Sequence, residues 1–206
     1  ENWPAFRAST TAGRRDEVRN RFDALRAGVV CEPRGHDAMV AAILTPPESA
    51  DSVAGVVFCN NVGVLGMCGH GLMGVARVLE RLGRVPNGRL KIDTPVGPVG
   101  ARLLDGGTVE IENVASYLQT RDVRVRVDGI GEVVGDVAYG GNWFFLARTP
   151  PPRPLRLAHA AELLRASEAL RAALARDGVR GRDGAEIDHV EWFEPSDVTH
   201  ERNFTM

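Results

Sequence analysis

The stretch from Leu72 to Leu82 most narrows the folds open to this chain. Leu72, Met73, Val75, Ala76, Val78, Leu79 and Leu82 read as a helix with no polar face until Arg77, Glu80 and Arg81 near its end. A helix that is apolar nearly all round has to be buried, and Gly83 is placed to end it with a left-handed cap. Short β-branched runs lie before and after it, so the pattern predicts an α+β fold in which a sheet curls around a central helix. The helix opens on Gly66-Met67-Cys68-Gly69-His70-Gly71. A thiol at that first turn faces unpaired backbone N–H groups and the positive end of the helix dipole, which favour a reactive, partly ionised Cys68. Gly69 and Gly71 would let bare amides approach a small anion such as a carboxylate.

Other readings of these residues fare less well. Gly69, Gly71 and Gly74 spell a dinucleotide fingerprint with Asp93 downstream, but the strand before them ends near Cys59 and the strands after Asp93 are joined by tight turns. Lys91 is the only lysine and has no glycine-rich phosphate cradle beside it, which argues against pyridoxal phosphate. Cys59, Cys68, His70 and His189 share no metal-ligand spacing, so no metal is expected. Cys68 could also be a small buried hydrophobe in a glycine turn. His70 lies two residues from Cys68, and positions two apart on a helix do not face each other, so the two are poorly placed as a nucleophile and base pair.

With 206 residues, 44% of them apolar and 25% charged, the chain is long enough for one or two domains with a real core. A net charge of −2 argues against a nucleic-acid or anionic-membrane partner and points to a small-molecule substrate. With neither a membrane span nor a signal peptide in view, the cytoplasm is the expected location. Three cysteines, Cys31, Cys59 and Cys68, suggest free thiols, with Cys31 and Cys59 as inert core residues. The chain opens at Glu1 and stops at Met206 in what reads as the start of a strand, so both ends look cut.

Periodicity predicts one amphipathic helix over about 13–27, capped by Thr10-Thr11, then strands at Val40–Leu44 and Val53–Cys59. From Leu90 onward come strands at Leu90–Asp93, Val99–Leu103, Val109–Asn113, Val123–Val127, Val133–Tyr139 and Trp143–Ala147. Turn chemistry separates them, which reads as antiparallel hairpins. Ser116–Thr120 is the candidate hinge, dividing a first lobe, 1–116, from a second, 117–206. After the proline-rich loop Thr149–Pro154, a helix over Ala160–Asp177 buries Leu163, Leu170 and Leu174, and a further strand carries His189. A lone histidine on an apolar strand is more often core than ligand.

Asn60-Asn61-Val62-Gly63-Val64-Leu65-Gly66-Met67-Cys68-Gly69-His70-Gly71 resembles the proline racemase family, most closely its 4-hydroxyproline 2-epimerase branch. Glu32-Pro33-Arg34-Gly35, Asp93-Thr94-Pro95-Val96-Gly97, Glu112-Asn113-Val114, Gly140-Gly141-Asn142-Trp143-Phe144-Phe145 and Ile187-Asp188-His189-Val190-Glu191 follow in family order. The resemblance covers roughly the first two thirds of a family member. It implies two similar lobes of the diaminopimelate-epimerase-like kind, each a curved, mostly antiparallel sheet around a buried helix, the second lobe incomplete in this chain. It also implies a cofactor-independent isomerase that inverts the α-carbon of trans-4-hydroxy-L-proline to give cis-4-hydroxy-D-proline. One cysteine acts as base and another as acid, with the substrate between two helix N-termini. Cys68 matches the first cysteine, while Gly69, His70 and Gly71 match the substrate-holding segment and His189 a substrate-binding histidine.

The second motif of the family, an Asp followed by Ser-Pro-Cys-Gly-Thr, would fall beyond Met206. The alternatives are proline racemase, trans-3-hydroxy-L-proline dehydratase and an inactive module that binds a prolyl carboxylate. A homodimer is the expected assembly.

Overall fold

A computed structural model describes residues 3–85 and 88–206. The chain divides into two compact units, one extending to Val114 and the other running Ala115–Met206. Each is built from a sheet and a helix that crosses it.

In the first unit, α1 (Thr11–Arg21) begins where the Thr10 side chain accepts a hydrogen bond from Gly13 N at 3.1 Å, satisfying one of the free donors of the first turn. The single helix predicted over 13–27 is two: the chain breaks at Phe22 (φ −120°, ψ 16°), and α2 (Asp23–Val30) follows. The break turns the Phe22 ring edge-on to Trp3 and Phe6, with centroids at 6.0 and 5.9 Å. The gain from burying that ring outweighs the continuity of one helix.

The strands of this unit are β1 (Val40–Thr45), β2 (Ala54–Asn60), β3 (Val64–Leu65), β4 (Arg89–Thr94), β5 (Gly97–Leu103) and β6 (Val109–Glu112). They form a sheet in the order β1-β2-β4-β5-β6, with β3 against β2. The hairpins expected from the turns are present, and β2 and β4 are also paired in parallel, Ala54 with Ile92 and Gly55 with Asp93. Parallel neighbours need a crossover, which α3 (Gly69–Arg81) supplies.

The continuous apolar run of β2 has a simple cause. Ala54, Val56 and Phe58 pack with Leu72, Ala76 and Leu79 of α3, while Val57 and Cys59 pack with Val18 of α1 and Val30 of α2. A strand covered on both faces needs no polar alternation.

Helix α3 departs from the expectation of burial on every side. Leu72, Val75, Ala76 and Leu79 form the buried stripe, whereas Met73, Val78 and Leu82 are 39%, 51% and 61% exposed. Within this unit the sheet covers one stripe of the helix, at i, i+3, i+4 and i+7 spacing, and apolar composition beyond that stripe does not by itself create a partner. The expected cap is present: Gly83 has φ +68°, its N–H bonds to Glu80 O, and Arg84 N–H bonds to Leu79 O.

The second unit holds β7 (Tyr117–Val127), β8 (Gly131–Tyr139), β9 (Trp143–Ala147), α4 (Ala160–Arg176), β10 (His189–Pro195) and β11 (Glu201–Thr205), with sheet order β11-β10-β9-β8-β7. Residues 117–120, in the stretch read as a hinge, belong to β7, where Tyr117 and Leu118 pair with Tyr139 and Ala138. Here too one neighbouring pair is parallel, β9 with β10, joined through α4. Leu163, Leu170 and Leu174 of α4 fill the core against Val125, Val133, Phe145 and Trp192. The Trp192 indole N–H donates to Ser167 Oγ at 2.9 Å, and that hydroxyl donates to Leu163 O. Both buried polar groups are thereby satisfied. The architecture is α+β, with one helix-bearing, largely antiparallel sheet in each unit.

Candidate active site

The position of Cys68 is set by a short hairpin. β3 pairs with β2 through Phe58 with Leu65 and Cys59 with Val64. The turn between them is held from within, since Asn60 Oδ1 accepts from Val62 N and Gly63 N at 3.0 and 2.9 Å. It is also held from outside: the buried Arg26 of α2 donates from Nη1 to Asn60 O at 2.6 Å and Asn61 O at 3.1 Å, while its Nε pairs with Asp23. Two residues beyond Gly66, Cys68 occupies the N-cap of α3 with extended dihedrals, φ −143° and ψ 112°.

Cys68 is 8% exposed and packs in the core cluster with Phe58, Met67 and Leu72. Burial comes first in its electrostatics and pushes the thiol above its ordinary range, while the backbone N–H groups of Gly71 and His70 pull the other way. Those amides lie near the sulfur without forming a capping hydrogen bond. The helix terminus therefore moderates the cost of the thiolate, while burial weighs against the partly ionised sulfur expected from the sequence.

The sequence reading separated His70 from Cys68, but the structure brings them together. Cys68 Sγ lies 3.7 Å from His70 Nδ1 and 3.8 Å from Nε2. An N-cap residue has extended backbone, so its side chain folds back over the first turn and the within-helix spacing rule does not apply to it. The sulfur is equally near both ring nitrogens, hence neither is aimed at it as a base.

The glycines have a steric reason. A Cβ at Gly71 would stand 2.9 Å from Phe58 Cε1 and 3.2 Å from Cys68 Sγ, and one at Gly69 would stand 3.3 Å from Ile111 Cδ1. Only a bare backbone fits between sulfur and ring at position 71. A groove of about 390 Å³ starts from His70 and Gly71 and continues between α3 and β1 over Gly74, Val78, Val40 and Ala42. It is apolar and leaves the thiol outside its walls.

Cys68, Gly69, His70 and Gly71 thus converge on one helix terminus, while His189 begins β10 of the second unit. His189 stacks on Phe144, and its Nδ1 is buried with no hydrogen-bond partner among the described residues. Burial is the main influence on its imidazole and lowers its pKa; Asp188 and Glu191 raise it and Arg171 lowers it further. Cys59 is sealed between sheet and helices, its pKa pushed up to about 11. Among the described residues no group of three His, Cys, Asp or Glu side chains is placed to share a metal ion.

Arg26, Asp188 and Phe144 acquire positions of interest that the sequence did not assign. Phe144 and Asp188 sat within recognisable motifs, yet only the parallel pairing of β9 with β10 shows which neighbours they serve.

The family described as "Proline racemase" matches residues 3–206. The 4-hydroxyproline 2-epimerase of Xanthomonas campestris pv. campestris is 49% identical over 93% of this chain and 62% of its own length. That of Chromobacterium violaceum is 46% identical over 99% of this chain and 66% of its own length. The chain therefore spans just under two thirds of these relatives. A probable proline racemase from Agrobacterium radiobacter K84, solved with bound carbonate, superposes over the whole chain and 65% of its own, with a TM-score of 0.87 at 21% identity. A hydroxyproline epimerase from Agrobacterium vitis, solved with trans-4-hydroxy-L-proline, superposes over 98% of this chain and 64% of its own, with a TM-score of 0.86 at 20% identity.

Proposed function

This chain belongs to the proline racemase family, and on that premise we propose that its complete protein is a 4-hydroxyproline 2-epimerase, interconverting trans-4-hydroxy-L-proline and cis-4-hydroxy-D-proline. The observation that carries the proposal is a cysteine at the N-cap of a core helix, followed by a Gly-His-Gly segment in which a side chain at position 71 has no room.

In this reading Cys68 acts in its thiolate form and takes the α-proton from one face of the ring. The C–H electron pair stays on the α-carbon, and a second thiol, supplied from outside these residues, delivers a proton to the opposite face. Each turnover leaves the two sulfurs with their protonation exchanged, so the reverse reaction needs no separate machinery. The amides of Gly69, His70 and Gly71 and the dipole of α3 receive the substrate carboxylate, where charge grows as the proton leaves. His70 and His189 are further substrate contacts.

No cofactor is assigned in this reading, and the substrate is a free imino acid. We also propose a cytoplasmic homodimer without a nucleic-acid or membrane partner; among the described residues no helix is long and apolar enough to cross a membrane. The relatives' shared name favours hydroxyproline over proline as substrate.

Chiral chromatography of products from the protein expressed from its complete reading frame tests the proposal. Trans-4-hydroxy-L-proline is expected to give the cis-D epimer, L-proline to react more slowly, and Cys68→Ser to lower the rate by about a thousandfold. Faster racemisation of proline, or a pyrroline product from trans-3-hydroxy-L-proline, would move the assignment to another branch.

A further inference from the structure

His189 and Phe144 are partners across the parallel β9–β10 pairing. Residues in register on neighbouring strands project to the same face. Trp143, Phe145, Val190 and Trp192 occupy the core side, which places Phe144 and His189 on the other. There the phenyl and imidazole rings lie almost parallel, with centroids 4.9 Å apart and planes at 19°. Asp188 pins the strand crossing beside them: its N–H donates to Trp143 O at 2.9 Å and its Oδ2 accepts from Trp143 N at 2.7 Å. The backbone under the stack is thereby fixed on both strands.

The imidazole so held has its Nδ1 buried without a partner among the described residues. An orphaned buried N–H is the costlier omission and the rarer one in folded proteins, whereas an under-used lone pair is tolerated more often. A neutral imidazole has one N–H to place, and burial of this ring favours the neutral form against the opposing pull of Asp188 and Glu191. The cheaper arrangement leaves Nδ1 bare.

We propose that Phe144 is a positioning residue for His189, its ring holding the imidazole in the orientation in which Nδ1 is a buried lone pair and Nε2 carries the proton. His189 then meets the substrate as a hydrogen-bond donor only. Such a group suits an oxygen of the imino acid, carboxylate or hydroxyl, and does not suit the protonated ring nitrogen, which needs an acceptor. The inference rests on the reading of His189 as a substrate contact.

Nitrogen NMR of the ¹⁵N-histidine-labelled complete protein reads the tautomer directly, with His189→Gln assigning the signals. The expected result is an unprotonated Nδ1 and a protonated Nε2 throughout the pH range of activity. Phe144→Leu is expected to give mixed tautomers and a KM raised about tenfold, the worth of one hydrogen bond, with kcat within about twofold. Phe144→Tyr restores both, and Phe144→Leu adds no further loss to His189→Gln, because the two act as one unit. A proton on Nδ1 in the unaltered protein overturns the proposal, as does Phe144→Leu with a single tautomer and unchanged KM. Should Phe144→Leu fail to fold, the tautomer of the unaltered protein decides alone. An unchanged KM in His189→Gln would instead remove His189 from substrate binding, a failure of the underlying reading that is separable from the tautomer result.

Discussion

A single missing methyl group shapes the Cys68 end of α3. Gly71 leaves room for the Phe58 ring and the Cys68 sulfur to share one space, so Gly71→Ala is expected to displace the sulfur or the ring by tenths of an ångström and cut kcat/KM by about tenfold. Steady-state kinetics on the folded variant check this, and unaltered kinetics would show that the space is not needed. Burial raises the Cys68 thiol, so less of it is ionised at a given pH than of a free thiol. In a Cys31→Ser background, alkylation of Cys68 should keep rising with pH beyond about 8.5, where an unperturbed thiol is half ionised. A plateau near neutrality would mean that the helix terminus outweighs burial at the sulfur. The sequence made Cys68 and its glycines legible because a cysteine between strand and helix has few alternatives. It could not show the thiol's depth, nor the approach of His70, since both depend on the extended backbone at the N-cap and on Phe58 from another strand.

At the scale of elements, the parallel β2–β4 contact is locked by Asp93. Its carboxylate accepts from Glu48 N, Ser49 N, Ser49 Oγ and Ser52 Oγ, fixing the turn that leads into β2. Burial opposes its charge, but those donors prevail and hold its pKa below the ordinary carboxylate value. A folded value below the unfolded one stabilises the fold above about pH 4, and the contribution is lost as the pH falls through the folded value. Asp93→Asn should therefore cost about 2 kcal/mol near neutral pH, with urea midpoints of the two proteins converging as the pH falls below about 4. A constant gap across that range would assign the effect to packing. Strand positions were largely legible from alternation and turns, Trp143–Ala147 to the residue. The break at Phe22 and the parallel pairs were not, because tertiary contacts decide them: aromatic packing on Trp3 and Phe6 in one case, helices α3 and α4 spanning their sheets in the other.

For the whole molecule, each unit places a helix across one parallel strand pair within an otherwise antiparallel sheet. The kinship of the chain was readable from motifs spread over both units, whereas the exposed flank of α3 was not, since Met73 and Val78 look like core residues in any window of sequence. The central claim is that the sulfur of Cys68 removes a proton from carbon, and isotope exchange follows that event without regard to which epimer accumulates. With the complete protein in deuterium oxide, trans-4-hydroxy-L-proline should acquire one deuterium at the α-carbon as the cis-D epimer forms, and Cys68→Ala should abolish both. Label entering the α-carbon at an undiminished rate in Cys68→Ala, or epimer forming without label in the unaltered protein, would contradict it.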